Sequence, residues 1–303
     1  MTYTTSEAHR AALTARANRI AATTGNSAGD VLNSYYLQRL IARVFLADPT
    51  GWVLKGGQAL LVRLPAARTT RDIDLYRRDT PDIDTAAQQL IDAASYDAGD
   101  FLTYTFVSRK DMIEGGRVAR LNFEVRLGRR KVHRVGVDVV VDSRPLGSPS
   151  TQPLESLIPI DWPTTWPEVT LYPLEDHAAD KIIAMYERHP GGRPSSRHRD
   201  LVDLVLIALY EPVNGAELQA SLAGEVTHRR ARGVGITLPN RFQLPSPEWE
   251  AGYAEHAVEP PPLVDYRTID AARPLIDAFL NPVLAGDPLM TWQPSQQRWT
   301  TRF

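Results

Sequence analysis

Seven of the 23 prolines in this 303-residue chain fall between Pro145 and Pro173. Proline fixes φ and removes a backbone donor, so this stretch predicts a connector rather than a helix interior or a central strand. Upstream the spacing of apolar residues predicts helices over 6–22 and 31–46, then a short apolar strand at Trp52-Val53-Leu54 ending in Gly56-Gly57. Helical spacing returns over 58–64, a half-buried strand is expected at 72–76, and a further helix at 85–94. Three β-rich runs follow at 101–107, 117–127 and 132–141, the last two joined by a hairpin turn at 128–131. Downstream the pattern is helical, over 174–188, 199–210, 215–232, 248–257 and 268–284. An α+β chain is therefore expected, with a mixed sheet and flanking helices in residues 1–150 and a mainly helical domain in residues 151–303.

Composition narrows the function classes. With 34 Lys plus Arg against 36 Asp plus Glu, the formal charge of -2 excludes a uniformly basic coat for nucleic acid. The absence of cysteine excludes a disulfide framework, a thiolate nucleophile and a Cys-based zinc or iron–sulfur site. Residues 1–16 are polar and no run approaches ~18 apolar residues, so neither a signal peptide nor a membrane span is expected and a cytoplasmic address is the default. Only Lys55, Lys110, Lys131 and Lys181 are lysines, against 30 arginines. Arginine thus reads as the solvated cation of this chain, and a lysine as a residue with a task.

Asp72 and Asp74 lie two apart on an expected strand, which points both carboxylates to one sheet face with Cα atoms ~6.5 to 7 Å apart. Two like charges side by side suit a divalent cation such as Mg²⁺, which takes hard oxygen ligands together with substrate phosphates. A solvated strand end is the plainer alternative for the pair alone. Fifteen residues upstream, Gly56-Gly57 separates a strand from a helix, where bare backbone N–H groups and the helix dipole can receive a phosphate. Strand, Gly-Gly-Gln, helix, then a strand bearing Asp-Ile-Asp resembles the nucleotidyltransferases related to DNA polymerase β. Those enzymes want a third carboxylate on a neighbouring strand. Asp138, within the apolar run Val137-Asp138-Val139, is the choice, with Glu124 and Asp142 in similar strands as alternatives.

A second constellation lies downstream. Asp203 sits among Leu201, Val202, Leu204, Leu206 and Ile207, so its helix is expected to be buried with the carboxylate inside. A buried carboxylate calls for a partner, and Lys181 on the preceding helix is the candidate. A catalytic pair and a structural ion pair between two helices read equally well from these residues.

Four segments together resemble the AbiEii/AbiGii nucleotidyltransferase toxins of type IV toxin–antitoxin systems, including their MenT-like members. They are Leu54-Lys55-Gly56-Gly57-Gln58-Ala59-Leu60, Thr70-Arg71-Asp72-Ile73-Asp74-Leu75, Asp180-Lys181-Ile182-Ile183-Ala184 and Arg199-Asp200-Leu201-Val202-Asp203-Leu204. The resemblance covers roughly residues 30 to 210. It implies a polymerase-β-like nucleotidyltransferase fold in which Gly56, Gly57, Gln58, Thr70 and Arg71 bind nucleotide. It further implies that Asp72, Asp74 and Asp138 hold Mg²⁺, and that Asp72, Asp74, Lys181 and Asp203 are catalytic. Gln58 stands where many members have Ser. The implied reaction is transfer of a nucleoside monophosphate from an NTP to the 3′ end of tRNA, blocking translation, with a cognate antitoxin as a further partner.

Three arginine clusters offer phosphate contacts: Arg126, Arg129, Arg130, Lys131 and Arg134; Arg188, Arg193, Arg197 and Arg199; Arg229, Arg230 and Arg232. The seven histidines show no metal-ligand spacing, and neither a G-x-S-x-G nor a Walker A motif is present. Two competing readings remain: a nucleotidyltransferase that modifies a protein or small molecule, and a non-catalytic fold that binds nucleotide or a partner protein.

Overall fold

The computed structural model describes residues 3–65, 67–112, 117–142, 145–160, 165–189, 191–231 and 233–300. Two helices open the chain, α1 (Ser6–Thr24) and α2 (Ala28–Ala47). Thr5 caps the first, which stops at Gly25 in the left-handed region (φ 77°), and Ser27 caps the second by accepting from the Asp30 N–H. Then follow β1 (Trp52–Lys55), α3 (Gly56–Arg63), β2 (Asp72–Arg77), α4 (Ile83–Ala94), β3 (Leu102–Asp111), β4 (Val118–Leu127) and β5 (Arg130–Val140). β6 (Ser150–Pro153) and β7 (Glu168–Leu171) complete a seven-stranded mixed sheet in the order β3-β4-β5-β2-β1-β7-β6.

Strand alternation sorts this sheet into two faces. Ile73, Leu75, Ala119, Leu121, Phe123, Val125, Val135, Val137 and Val139 are buried in one core cluster with Tyr35, Leu40, Val44 and Leu90 of α2 and α4. The residues between them, Asp72, Asp74, Arg120 and Asp138, therefore stand on the opposite face. α2 is apolar nearly all round and is buried over most of its length, as such a helix must be. It also takes two arginines inside: Arg39 and Arg43 are 0% exposed and clamp Asp100, with Arg39 Nε donating to Asp100 Oδ2 at 2.6 Å. Arginine is thus not reserved for solvated positions, because its fork of donors can engage both oxygens of a buried carboxylate.

The proline-rich stretch is not only a connector. β7 runs parallel to β1, with Leu54 opposite Leu171, and β6 pairs antiparallel with β7. Pro153 is tolerated because it ends the edge strand, where a missing N–H breaks no ladder. The compact units accordingly divide at Leu171/Tyr172 rather than at 150/151. One unit comprises Met1–Arg63, Thr69–Arg144 and Pro149–Leu171, and the other Leu64–Arg68, Pro145–Ser148 and Tyr172–Phe303.

The second unit contains α5 (Leu174–Tyr186), a short ribbon of β8 (Arg188–His189) and β9 (Arg193–Pro194), and α6 (His198–Tyr210). β10 (Val213–Asn214), α7 (Gly215–Ala231), α8 (Trp249–Ala257), α9 (Ile269–Ala285), β11 (Thr291–Gln293) and β12 (Arg298–Trp299) follow. α6 is its buried centre, packed against α5, α8 and α9. A small sheet of β10, β11 and β12, absent from the sequence expectation, sets Trp292 against Phe279, and its indole N–H donates to the Ala208 carbonyl at 2.7 Å.

Candidate active site

β2 and β5 are adjacent and parallel, with Asp74 in register with Asp138 and Asp72 with Gly136. The three carboxylates therefore project from one face of two neighbouring strands at the middle of the sheet. Burial pushes the Asp138 carboxyl up to about 6, against the lowering pull of Arg120 and with Asp74 and Asp72 adding to the rise. The two alternatives are engaged elsewhere. Glu124 pairs with Arg126 and Lys131, each at 2.8 Å, and these bonds hold its carboxyl below the usual range. Asp142 lies beyond the end of β5, in the left-handed region (φ 53°), and pairs with Arg117 at 3.1 Å.

β1 runs into α3 through Gly56, whose φ of 62° favours glycine. The Asp74 carboxylate occupies the space that a Cβ at Gly56 would take. Likewise a Cβ at Gly57 would meet the Thr70 side chain at 2.9 Å. Both glycines thus let a helix N-terminus lie directly against the strand that carries the aspartates. Gln58 is buried at 3% exposure, and its amide Nε2 has no partner among the described residues. Arg71 is exposed beside Asp72, and a cavity of about 430 Å³ opens there, lined among others by Thr70, Arg71, Asp72, Arg120, Asn122 and Arg134.

Arg120 of β4 is the feature that sequence reasoning missed at this face. Its guanidinium bridges Asp72 and Asp138, reaching Asp138 Oδ2 at 3.2 Å. In this arrangement no three carboxylate or imidazole groups among the described residues form a cluster that could hold a metal ion. The donor set nonetheless fits a hard divalent cation, since three carboxylates share one sheet face and burial with mutual repulsion already raises one of them.

Lys181 and Asp203 meet in the second unit. Lys181 Nζ on α5 donates to Asp203 Oδ2 at 2.5 Å and to Asp200 Oδ1 at 3.0 Å, both on α6. Burial would lower the Lys181 ammonium, but Asp200 and Asp203 outweigh it and keep it charged, above its ordinary value. Arg68 closes the network as a fork on Asp203, through Nε at 2.9 Å and Nη2 at 2.7 Å, and Arg197 Nε holds Asp200 at 2.5 Å. Lys181 is 5% exposed and Asp203 0%, so the pair ties α5 to α6 from a buried position. Asp200 was legible as an i−3 neighbour of Asp203, whereas Arg68 carried no sequence signal.

Among the arginine clusters, Arg126 and Lys131 share Glu124, and Arg229 is held by Glu187 and Glu225. Arg232 lies outside the described residues.

Residues 36–300 match the family model of the nucleotidyl transferase AbiEii toxin of type IV toxin–antitoxin systems. The chain belongs to the AbiEii family. Its fold is that of MenT4, a nucleotidyltransferase toxin from Mycobacterium tuberculosis H37Rv, at a TM-score of 0.55 and 19% identity over 90% of this chain and 98% of that one. JHP933 from Helicobacter pylori also matches, with a TM-score of 0.41 and 17% identity over 66% of this chain and 76% of that one. No curated protein sequence matches the chain. Membership makes this AbiEii protein a nucleotidyltransferase toxin, with an NTP as substrate and a cognate antitoxin as counterpart. No helix among the described residues is long and apolar enough to cross a membrane.

Proposed function

We propose that this AbiEii protein transfers a nucleoside monophosphate from an NTP to the 3′ end of tRNA and so blocks translation in the cytoplasm. The observation that carries the reading is the alignment of Asp72, Asp74 and Asp138 on one face of β2 and β5, beside the Gly56-Gly57 helix start. The backbone N–H groups of that turn would receive the triphosphate. Asp72, Asp74 and Asp138 would hold Mg²⁺, which supplies charge neutralisation at the phosphates. The acceptor hydroxyl oxygen bonds to the α-phosphorus, the bond from that phosphorus to pyrophosphate breaks, and the hydroxyl proton passes to a carboxylate oxygen of Asp138.

Lys181 and Asp203 enter the proposal through the family resemblance, Lys181 neutralising charge on the transferred group and Asp203 holding it. Exposed Arg129, Arg130 and Arg134 favour a phosphate-rich acceptor. The test is incubation with each labelled NTP, Mg²⁺ and total tRNA, beside protein extract, with Asp72→Ala as control. Label at the tRNA 3′ end that vanishes in the control is the expected result. Label on protein or a small molecule would transfer the reading to the other acceptor, and no turnover with any NTP would leave a nucleotide-binding fold.

A further inference from the structure

The carboxylate face already carries a cation of the chain's own. Arg120 on β4 is in register with Asp138 on β5, its immediate neighbour, yet its guanidinium reaches past β5 to Asp72 on β2. The crossing is made at Gly136, the β5 residue in register with Asp72. A Cβ there would lie 2.6 Å from Arg120 Nη2 and 3.1 Å from its Cζ. Gly136 is not among the residues with positive φ, so space and not backbone conformation calls for glycine at this point. The bridge is also loose. Arg120 is 34% exposed and Asp72 46%, a setting in which an ion pair contributes little and can open, and the adjoining cavity gives the guanidinium somewhere to go.

We infer that Arg120 is the resident counter-cation of this site, a positioning residue that neutralises Asp72 and Asp138 in the metal-free protein and must withdraw before a divalent cation can be held. The inference rests on the metal-dependent reading above. Metal and guanidinium compete for the same oxygens, so the free protein binds the cation weakly and its carboxylates stay in place without it. Removing the guanidinium or closing its slot should therefore strengthen metal binding. A merely structural arginine predicts the reverse, since its loss would let the carboxylates repel one another apart.

The experiment is calorimetric titration of the full chain with Mn²⁺ alone, in wild type, Arg120→Gln, Gly136→Ala and Asp74→Asn, with circular dichroism to confirm folding. Arg120→Gln and Gly136→Ala are both expected to lower the Mn²⁺ dissociation constant by up to about fivefold, the upper worth of a part-exposed ion pair. Gly136→Ala keeps the arginine and decides the matter should Arg120→Gln fail to fold. Unchanged or weaker binding in the folded variants overturns the role of Arg120. If wild type binds and Asp74→Asn does not, that failure leaves the metal reading standing. If Asp74→Asn binds as wild type does, or nothing binds, the metal reading falls and this inference with it.

Discussion

The Asp74 carboxylate sits where the Cβ of any residue but glycine at position 56 would be. The first helical residue after β1 and the second aspartate of β2 are thereby locked together, which couples the proposed phosphate turn to the proposed metal ligands. Gly56→Ala should displace Asp74 and also force a side chain into φ 62°, at about 1 to 2 kcal/mol. A displacement near 1 Å lowers transfer by about 10²-fold. A melting curve and a transfer assay on this variant check both parts, and wild-type turnover would uncouple the turn from the site.

Asp72→Ala and Asp74→Ala should each abolish transfer, by roughly 10³-fold or more given the several kcal/mol a bound metal supplies. Both residues are part-exposed on a charged face, so the folded state should survive, with a melting temperature near that of wild type. Retained activity in either variant would remove the polymerase-β-like chemistry from this sheet face.

Lys181→Ala leaves Asp200 with Arg197 and Asp203 with Arg68, each short of one buried partner. Loss of such a partner costs about 3 to 5 kcal/mol, and Lys181→Arg should not restore it because a planar fork does not fit a point-charge site. Urea denaturation reads that part. Kinetics read the other: kcat falling far more than KM rises, in the fraction still folded, assigns Lys181 a part in transfer. A normal rate with lowered stability makes it an ion pair between α5 and α6 only.

Burial pushes Asp200 up, but Lys181 and Arg197 outweigh it and bring its carboxyl down to about 2. A carboxyl lowered in the folded state stabilises above its unfolded value near 3.8 and gives that stability up as pH falls towards 2. The contribution is on the order of 2 kcal/mol. Unfolding free energies of wild type and Asp200→Asn between pH 2 and 6 should converge at the acid end. A constant difference across that range would place the stabilisation elsewhere.

Sequence spacing carries local geometry, and the site was legible to that extent. Asp72 and Asp74 share a face because a strand has period two, and the Gly56-Gly57 turn reads as a helix start because glycine needs no room. Asp203 reads as buried because Leu206 and Ile207 surround it, which in turn calls for Lys181. The proline-rich stretch misled, since β6 and β7 are strands there. Proline forbids a ladder bond only where one is needed, and an edge strand leaves that choice to its partner.

The sequence by itself determined which residues could carry charge on one face of a strand and which helix had to be buried, since both follow from periodicity over a few residues. Only the tertiary structure decided that Asp138 and not Glu124 or Asp142 stands beside Asp74, because strand register is set by pairing across more than sixty residues. The same holds for Arg120 reaching Asp72 past Gly136, and for Arg68 closing on Asp203 from 135 residues away. Each of those partners is an arginine among 30 with no local pattern to mark it, and its role is fixed by where the folded chain brings a carboxylate within reach.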